Sequence, residues 1–273
     1  MRISLAPCAV LLCGLLAAVP SRAQSPSPSA TAATGAETTP MNTPLPEGAE
    51  TLITCQLTKA PTITETRIFE SPKDADSAKG TWHYKLWIPT GYAAAPLKKW
   101  PVLFIMSAGG NAGMGVMADH LKAKGYVVVM LVDSKNGPWG PVIGNFLAAH
   151  DDVVKRVRID ETKKVATGQS GGARGSSLFV QARPGFVGLV MQAAGPASER
   201  SGYDVLGLRN NGKLYVAMTM GDTDQNKDEV ERTKAAIGAP ARFQVFPFKG
   251  GHMWAPKEVI EPALTWVEGK AGI

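Results

Sequence analysis

The chain has little cysteine, and this shortage limits how the folded protein can be held together. Three cysteines occur in 273 residues. Cys8 and Cys13 lie within the first 23 residues, a segment that we predict is removed, so the mature chain keeps Cys55 alone. That excludes an internal disulfide, even in a compartment where disulfides can form. Stability must come from the core, and Cys55 is interpreted as structural or incidental.

Histidine is also scarce, and the four histidines are not spaced as metal ligands. His150 is followed by two aspartates but lacks the second histidine, one helical turn away, that metalloproteases use. We interpret His83, His120 and His150 as packed or surface residues. We therefore predict neither a metal site nor a cofactor, and the fourth histidine, His252, is considered below.

Basic residues do not gather in blocks. The formal net charge is +6, and predicted removal of Arg2 and Arg22 leaves 27 basic and 23 acidic residues, a net charge of +4. Such an excess can favour anionic envelope surfaces. Because the charges are scattered and no nucleic-acid motif accompanies them, we predict a solvated surface and no nucleic-acid binding. The sequence does not indicate an oligomeric state.

The longest apolar stretch, residues 9–19, is too short to span a membrane. It follows Arg2 and precedes the small residues around Ala23, which predicts a signal peptide over 1–23 and a secreted or periplasmic protein. A buried N-terminal helix is the alternative, and Leu12 argues against lipid attachment at Cys13. Residues 24–50 are rich in Ser, Pro, Thr and Ala and have few aliphatic side chains to offset the entropy cost of ordering. We predict a disordered linker there, followed by one domain over 51–273.

Apolar periodicity in that domain alternates between strand and helix. Continuous apolar runs typical of strands covered on both faces occur at 101–106, 126–132, 186–192 and 214–220. Helical spacing occurs at 112–124, 142–157 and 258–268. Segments 63–69 and 81–88 predict an antiparallel edge. The pattern indicates an α/β protein with a mostly parallel central sheet, helices on both faces and no room for a large cap domain.

The pentapeptide Gly168-Gln-Ser-Gly-Gly172 is the most informative motif. It follows a short apolar run and precedes a helix-capable stretch, so Ser170 is predicted on a sharp strand-to-helix turn with its hydroxyl exposed. A glycine-rich turn that happens to hold a serine is the alternative. A serine nucleophile also needs a base and a group that orients the base.

Candidates for both partners follow later strands. Asp222 and Asp224 come after the apolar run 214–220, and His252 comes after the strand predicted at 242–248. The order Ser, Asp, His matches hydrolases that use this turn. Because the carboxyl ends of parallel strands meet at one edge of a sheet, we expect the three side chains to lie together.

From about Trp82 to the C-terminus, the chain resembles the α/β-hydrolases. The matching segments are 167–173, 221–224 and 250–254, and the resemblance is strongest to small lidless secreted esterases related to polyhydroxybutyrate depolymerases and feruloyl or acetyl esterases. The resemblance implies Ser170 as nucleophile, His252 as general base and Asp224 as the orienting acid. Asp222 is then expected to stabilise a turn.

An oxyanion hole needs two backbone N–H groups aimed at the developing negative charge. The first is expected from Gly171, at the N-terminus of the helix after Ser170, where the helix dipole also favours negative charge. The second is expected from Gly109 or Gly110, in the loop after the strand 101–106. A plain glycine turn is the alternative interpretation of that loop.

Three further residues are candidates for substrate binding. Trp139 and Trp254 could line a pocket, or they could simply pack against the core. Arg174 lies in the first helical turn after Ser170, where the helix dipole disfavours a cation. It therefore either pairs with a carboxylate or recognises an anionic substrate group.

These features together predict a serine hydrolase that cleaves carboxylic esters through an acyl-enzyme. The substrate is expected to be a small-molecule or polymeric ester. A serine peptidase with the same fold is the first alternative, and it would need groups that bind a peptide terminus or backbone. A non-catalytic binding module of the cell envelope is the second, and the complete set of serine, acid and histidine argues against it.

Overall fold

Eight strands form one sheet in the computed structural model, which describes residues 37–61, 72–197 and 206–273. The strands are β1 (Glu50–Leu57), β2 (Gly80–Trp87), β3 (Trp100–Ser107), β4 (Val127–Leu131), β5 (Ile159–Gln169), β6 (Phe186–Gln192), β7 (Tyr215–Gly221) and β8 (Phe243–Phe248). The helices are α1 (Pro72–Asp76), α2 (Ala118–Lys124), α3 (Trp139–Arg156), α4 (Gly171–Ala182), α5 (Leu206–Asn210), α6 (Glu229–Ile237) and α7 (Lys257–Ala271).

The strands lie in the order β1-β2-β4-β3-β5-β6-β7-β8. Strands β3 to β8 are parallel to one another, whereas β2 runs antiparallel to both of its neighbours, β1 and β4. The antiparallel edge is therefore present, but the partner of β2 at that edge is Glu50–Leu57. The predicted strand 63–69 lies outside the described residues.

Side chains of the central strands alternate between two apolar layers. Phe104 of β3 points to one layer, where it packs with Phe146 of α3 and near Phe179 of α4. Its neighbours Leu103 and Ile105 point to the other layer, which α2 and α7 cover. Burial on both faces explains the continuous apolar runs of these strands. The predicted mostly parallel sheet with helices on both faces is confirmed.

The helix predicted at 112–124 is shorter in the structure. Residues 115–117 form a single 3-10 turn, and the α-helix begins only at Ala118. Gly113 and Gly115 lower the helix propensity of the first residues, which explains the late start. Gly125 ends the helix in the left-handed conformation, with φ at 70°.

Part of the predicted linker contacts the domain. The backbone N–H of Thr39 donates to the carbonyl of Thr54 in β1, and the guanidinium of Arg156 donates to the carbonyls of Thr39 and Pro40. The Glu47 carboxylate accepts the N–H groups of Gly91 and Ala93, and these bonds lower the pKa of Glu47. The domain boundary at residue 51 stays a prediction, as does the signal peptide, which lies outside the described residues.

Cys55 is a free, buried thiol on β1, and burial is the main cause that raises its pKa. A thiol held protonated in this way is a poor nucleophile.

Between β6 and β7, the described residues contain only the five-residue helix α5. None of the helices in the described parts of the chain is long and apolar enough to cross a bilayer.

Candidate active site

Ser170 lies between the end of β5 and the first residue of α4. Its backbone has φ 57° and ψ −119°, a strained conformation for a residue with a side chain. Its N–H donates to the carbonyl of Gln192 at the end of β6, at 2.9 Å. The hydroxyl is thereby held at the carboxyl edge of the sheet.

Glycines on both sides of Ser170 permit this turn because backbone segments approach each other closely. A Cβ atom at Gly168 would lie 2.4 Å from the carbonyl carbon and oxygen of Gly172. A Cβ atom at Gly172 would lie 2.3 Å from the carbonyl oxygen of Met106. Any side chain at either position would force the turn open, which is the physical reason for the G-x-S-x-G pattern.

The structure brings His252 between Ser170 and Asp224. The Nε2 atom of His252 lies 2.8 Å from the hydroxyl oxygen of Ser170, and Nδ1 lies 3.0 Å and 3.2 Å from the two carboxylate oxygens of Asp224. A carboxylate beside Nδ1 favours a proton on that nitrogen, which leaves Nε2 as an acceptor for the serine proton.

Asp224 is almost fully buried, with 1% of its surface exposed, and hydrogen bonds hold its carboxylate. The backbone N–H of Asn226 donates to Oδ1 of Asp224 at 2.8 Å, and the Asn226 side chain donates to the carbonyl of Ala193. The loop after β7 is thus anchored to the end of β6. This anchoring aims the carboxylate at the imidazole.

Asp222 has a different position. Its side chain accepts the N–H of Gly250 at 3.0 Å, and it lies at the surface. Thr223 donates to the carbonyl of Gly250 through both its N–H and its hydroxyl. These bonds join the loop after β7 to the loop that carries His252, so Asp222 occupies a turn-stabilising position.

The two candidate glycines of the second oxyanion donor differ in their hydrogen bonds. The N–H of Gly110 donates to the carbonyl of Ser107 at 3.0 Å and closes a turn. The N–H of Gly109 has only a longer bond, 3.3 Å, to the Ser107 hydroxyl. A hydroxyl can rotate away, so the Gly109 N–H is the more available donor. Gly171, the first candidate donor, is the first residue of α4.

Two residues that the sequence analysis did not single out lie against this turn. The side chain of Gln192 bridges Thr167 Oγ1 and the N–H of Ala255, which joins β5 to the histidine loop. The carboxamide oxygen of Asn136 lies 1.6 Å from the position that a Cβ atom at Gly171 would take. Gln192 could have been found from its place at the end of a central strand, whereas nothing in the sequence places Asn136 beside Gly171.

Arg174 pairs with a carboxylate. Its guanidinium donates to Glu229 of α6 at 2.8 Å and to the carbonyl of Pro196 at 3.2 Å. The other carboxylate oxygen of Glu229 accepts the N–H of Gly195 at 2.7 Å. These bonds support the pairing interpretation of Arg174 over recognition of an anionic substrate group.

A cleft of about 620 Å³ opens between the loop after β3 and the loop that carries His252. Ser170 and His252 do not line it, but Gln192, whose carbonyl accepts the N–H of Ser170, does. Trp254 lines this cleft. Trp139, at the start of α3, is instead half-buried against the apolar layer under α3 and α4 and is not part of the cleft wall. The geometry therefore favours Trp254 over Trp139 as a substrate contact.

Comparison with known proteins identifies the fold. No family model and no curated protein matches the chain. Among solved structures it is similar to a ferulic acid esterase, with a TM-score of 0.54 and 16% identity over 82% of this chain and 98% of that one. It is similar to the S-formylglutathione hydrolase FrmB from Staphylococcus aureus, with a TM-score of 0.52 and 14% identity over 81% and 99% of the two chains. It is also similar to Est1E from Butyrivibrio proteoclasticus, with a TM-score of 0.54 and 14% identity over 71% and 96%.

These structures are α/β-hydrolases, and the chain has the same fold. The fold that this resemblance implied is thereby confirmed.

Proposed function

We propose that this protein is a serine hydrolase that cleaves carboxylic esters, with Ser170 as nucleophile, His252 as general base and Asp224 as the orienting acid. The single observation that carries the proposal is the continuous chain of hydrogen-bond distances: 2.8 Å from the serine hydroxyl to the imidazole and 3.0 Å from the imidazole to a buried carboxylate. Such a chain activates a hydroxyl that is otherwise a weak nucleophile.

In the proposed reaction, the Ser170 oxygen attacks the ester carbonyl carbon while Nε2 of His252 takes the hydroxyl proton. The tetrahedral intermediate collapses, the carbon–oxygen bond to the alcohol breaks, and His252 returns the proton to the departing alcohol oxygen. Water then attacks the acyl-enzyme with His252 again as base, which releases the carboxylic acid and regenerates Ser170. The Asp224 carboxylate stabilises the imidazolium that forms in each half of the cycle.

The negative oxygen of each tetrahedral intermediate would be held by backbone N–H groups. We assign the first to Gly171, where the dipole of α4 adds to the hydrogen bond. We assign the second to Gly109, whose N–H has the weaker of the two internal bonds in the loop after β3.

The ester preference is supported by the names of the similar structures, which include a ferulic acid esterase. For a peptidase, we find no favouring feature: among the described residues, the cleft wall has no charged side chain that could hold a peptide terminus. Residues 1–23 support export, and we propose a secreted or periplasmic location for the mature protein.

A fluorophosphonate probe tests the proposed nucleophile. The protein should be labelled covalently, and Ser170→Ala should lose both labelling and hydrolysis of 4-nitrophenyl acetate while its circular dichroism spectrum stays unchanged. Ser176→Ala, at a buried serine of the same helix, is the matched control and should keep both. Labelling that survives in Ser170→Ala would reject the assignment, and hydrolysis of peptides in preference to esters would make the protein a peptidase.

A further inference from the structure

The cleft next to the turn of Ser170 has a mostly apolar wall. Its larger apolar side chains come from the two loops, and they are Met114, Val116, Met117, Met253, Trp254 and Pro256. Three of the six are methionines, whose flexible and polarizable side chains adapt to ligands of different shape. The wall is thus suited to an apolar group of variable form.

The mouth of the cleft is apolar as well. Val116 and Met253 are each about half exposed, at 50% and 51%, whereas Met114 and Met117 at the base are buried. Large apolar side chains at the surface cost free energy unless a ligand covers them. An apolar group that enters between Val116 and Met253 would remove both from water.

Three polar side chains of the described residues line the cleft, and two of them, Ser107 and Gln192, end strands that flank the turn of Ser170. Ser107 ends β3 beside Gln169, and the carbonyl of Gln192 accepts the N–H of Ser170. The remaining polar side chain is Asn111, which follows the candidate oxyanion loop. Ser107 and Gln192 therefore place one part of the cleft wall next to the turn that carries Ser170, whereas Val116 and Met253 lie at the exposed, apolar part.

Among the described residues, no charged side chain lines the cleft. The nearest charged side chains along the chain, Asp119 and Lys257, follow the two loops and pair with each other at 2.8 Å. Lys257 also lies 3.6 Å from Glu261. A charged substrate group in the cleft would lose water without gaining an opposite charge, which is unfavourable.

We propose that this cleft binds an uncharged, apolar group of the ester substrate, either an aromatic ring or an aliphatic chain of several carbons. The inference rests on the proposed function, since it names the substrate class of the same site. The volume supports a group larger than acetyl: about 620 Å³ is roughly four times the 150 Å³ of a protein cavity that holds one benzene ring.

The test measures kcat/KM for 4-nitrophenyl acetate, butyrate, hexanoate and octanoate, and for the hemiglutarate, whose acyl group has a length similar to hexanoate but ends in a carboxylate. A second series compares ethyl acetate with benzyl acetate, in which the apolar group belongs to the alcohol and not to the acyl part of the ester. We expect kcat/KM to rise in at least one series, by up to about fourfold per buried methylene. We expect the hemiglutarate to be at least about tenfold poorer than the hexanoate, because its carboxylate would lose water without gaining a partner.

Opposite charges at the mouth provide the sharper test. Val116→Lys should lower the ratio of kcat/KM for the hexanoate to kcat/KM for the hemiglutarate by about twofold to fivefold, because the lysine would attract the carboxylate of the hemiglutarate. Val116→Glu should raise this ratio by a similar factor, since an exposed charge pair has an energy of this size. Leu97→Lys is the matched control: Leu97 is 96% exposed and is not part of the cleft wall, so the ratio should not change.

The outcomes separate the two proposals. One outcome would reject the cleft proposal alone: 4-nitrophenyl acetate is hydrolysed, but kcat/KM does not rise along either ester series and neither Val116 variant changes the ratio of hexanoate to hemiglutarate. The esterase proposal would then stand. If no ester is hydrolysed and Ser170 is not labelled, the esterase proposal itself is wrong.

Discussion

Two aspartates two positions apart take different places beside His252. Asp224 is buried and lies 3.0 Å from Nδ1 of the imidazole, whereas Asp222 is exposed and accepts the N–H of Gly250. Both follow the same strand, so the direction of each side chain depends on the path of the loop rather than on the residue type. This difference supports a separate role for each carboxylate.

We expect Asp224→Asn to lower kcat for ester hydrolysis by about ten-thousandfold, the size of the effect that loss of the orienting carboxylate has in serine proteases. An amide at this position can donate to Nδ1 and would then favour the imidazole tautomer with its proton on Nε2. An uncharged amide also could not stabilise the imidazolium. Steady-state kinetics on 4-nitrophenyl acetate measures the change, and a melting curve checks that the fold is kept.

Asp222→Asn is the matched control, because its carbonyl oxygen can still accept the Gly250 N–H. It should keep most of the activity and lose about 1 kcal/mol of stability or less. The reverse pattern would transfer the orienting role to Asp222. Full activity in both variants would mean that another residue orients His252.

Helix α3 and strand β5 are joined by a buried polar cluster that the sequence analysis treated as ordinary packing. Nε2 of His150 accepts from the ammonium of Lys164 at 2.9 Å, and Nδ1 of His150 donates to Asp151, which also pairs with Arg183. Burial is the largest cause that lowers the pKa of His150, and the Lys164 charge adds to it against the opposing effect of Asp151. A second proton on His150 would face the lysine ammonium directly.

This cluster predicts a loss of stability in mild acid. Because the pKa of His150 is lower in the folded protein than the usual value near 6.5, the unfolded chain binds the proton more readily. Stability that is fully present above about pH 6.5 is therefore lost as the pH falls below that value, at no more than about 1.4 kcal/mol per pH unit.

Urea unfolding of the native protein and of His150→Gln between pH 5 and 7.5 measures this effect. The glutamine can accept from Lys164 but does not titrate, so the variant should have a smaller dependence of the unfolding free energy on pH. The same slope in both proteins would assign the dependence to other groups. His83→Gln, at a partly exposed histidine beside Asp133, controls for the removal of any histidine.

At the scale of the whole molecule, residues 39 and 40 attach to the domain through Arg156. The guanidinium is almost fully buried and joins Asp152, Thr39 and Pro40, while the Thr39 hydroxyl accepts the N–H of Thr54. Helix α3 and strand β1 are thus bound to the same short segment. The segment contributes to stability far from Ser170.

A chain that begins at residue 45 should therefore be less stable than one that begins at residue 37, by about 1–3 kcal/mol for the few hydrogen bonds lost. Chemical denaturation of the two chains measures the difference. Both should hydrolyse 4-nitrophenyl acetate at the same rate below their unfolding transitions, because none of the lost bonds touches the candidate site. Equal stability would show that the contacts of residues 39 and 40 add nothing measurable.

The central sheet could be predicted from the sequence because strands buried on both faces must be continuously apolar. The strand 186–192 has the predicted bounds, and β3, β4 and β7 differ from prediction by a residue or two. Strand β1 was not predicted, because Glu50–Leu57 mixes polar and apolar side chains as edge strands do. Helix α6 was not predicted either, since its apolar positions are few.

The sequence by itself determined the strand-to-helix turn around Ser170, because close backbone approaches at Gly168 and Gly172 leave no space for side chains. It also determined the order of serine, acid and histidine along strand ends. Only the tertiary structure decided three contacts: the hydrogen bond of His252 to Asp224 and not to Asp222, the ion pair of Arg174 with Glu229, and the packing of Asn136 against Gly171. Those contacts join segments far apart in the chain, and their geometry depends on loop paths that local residue preferences do not encode.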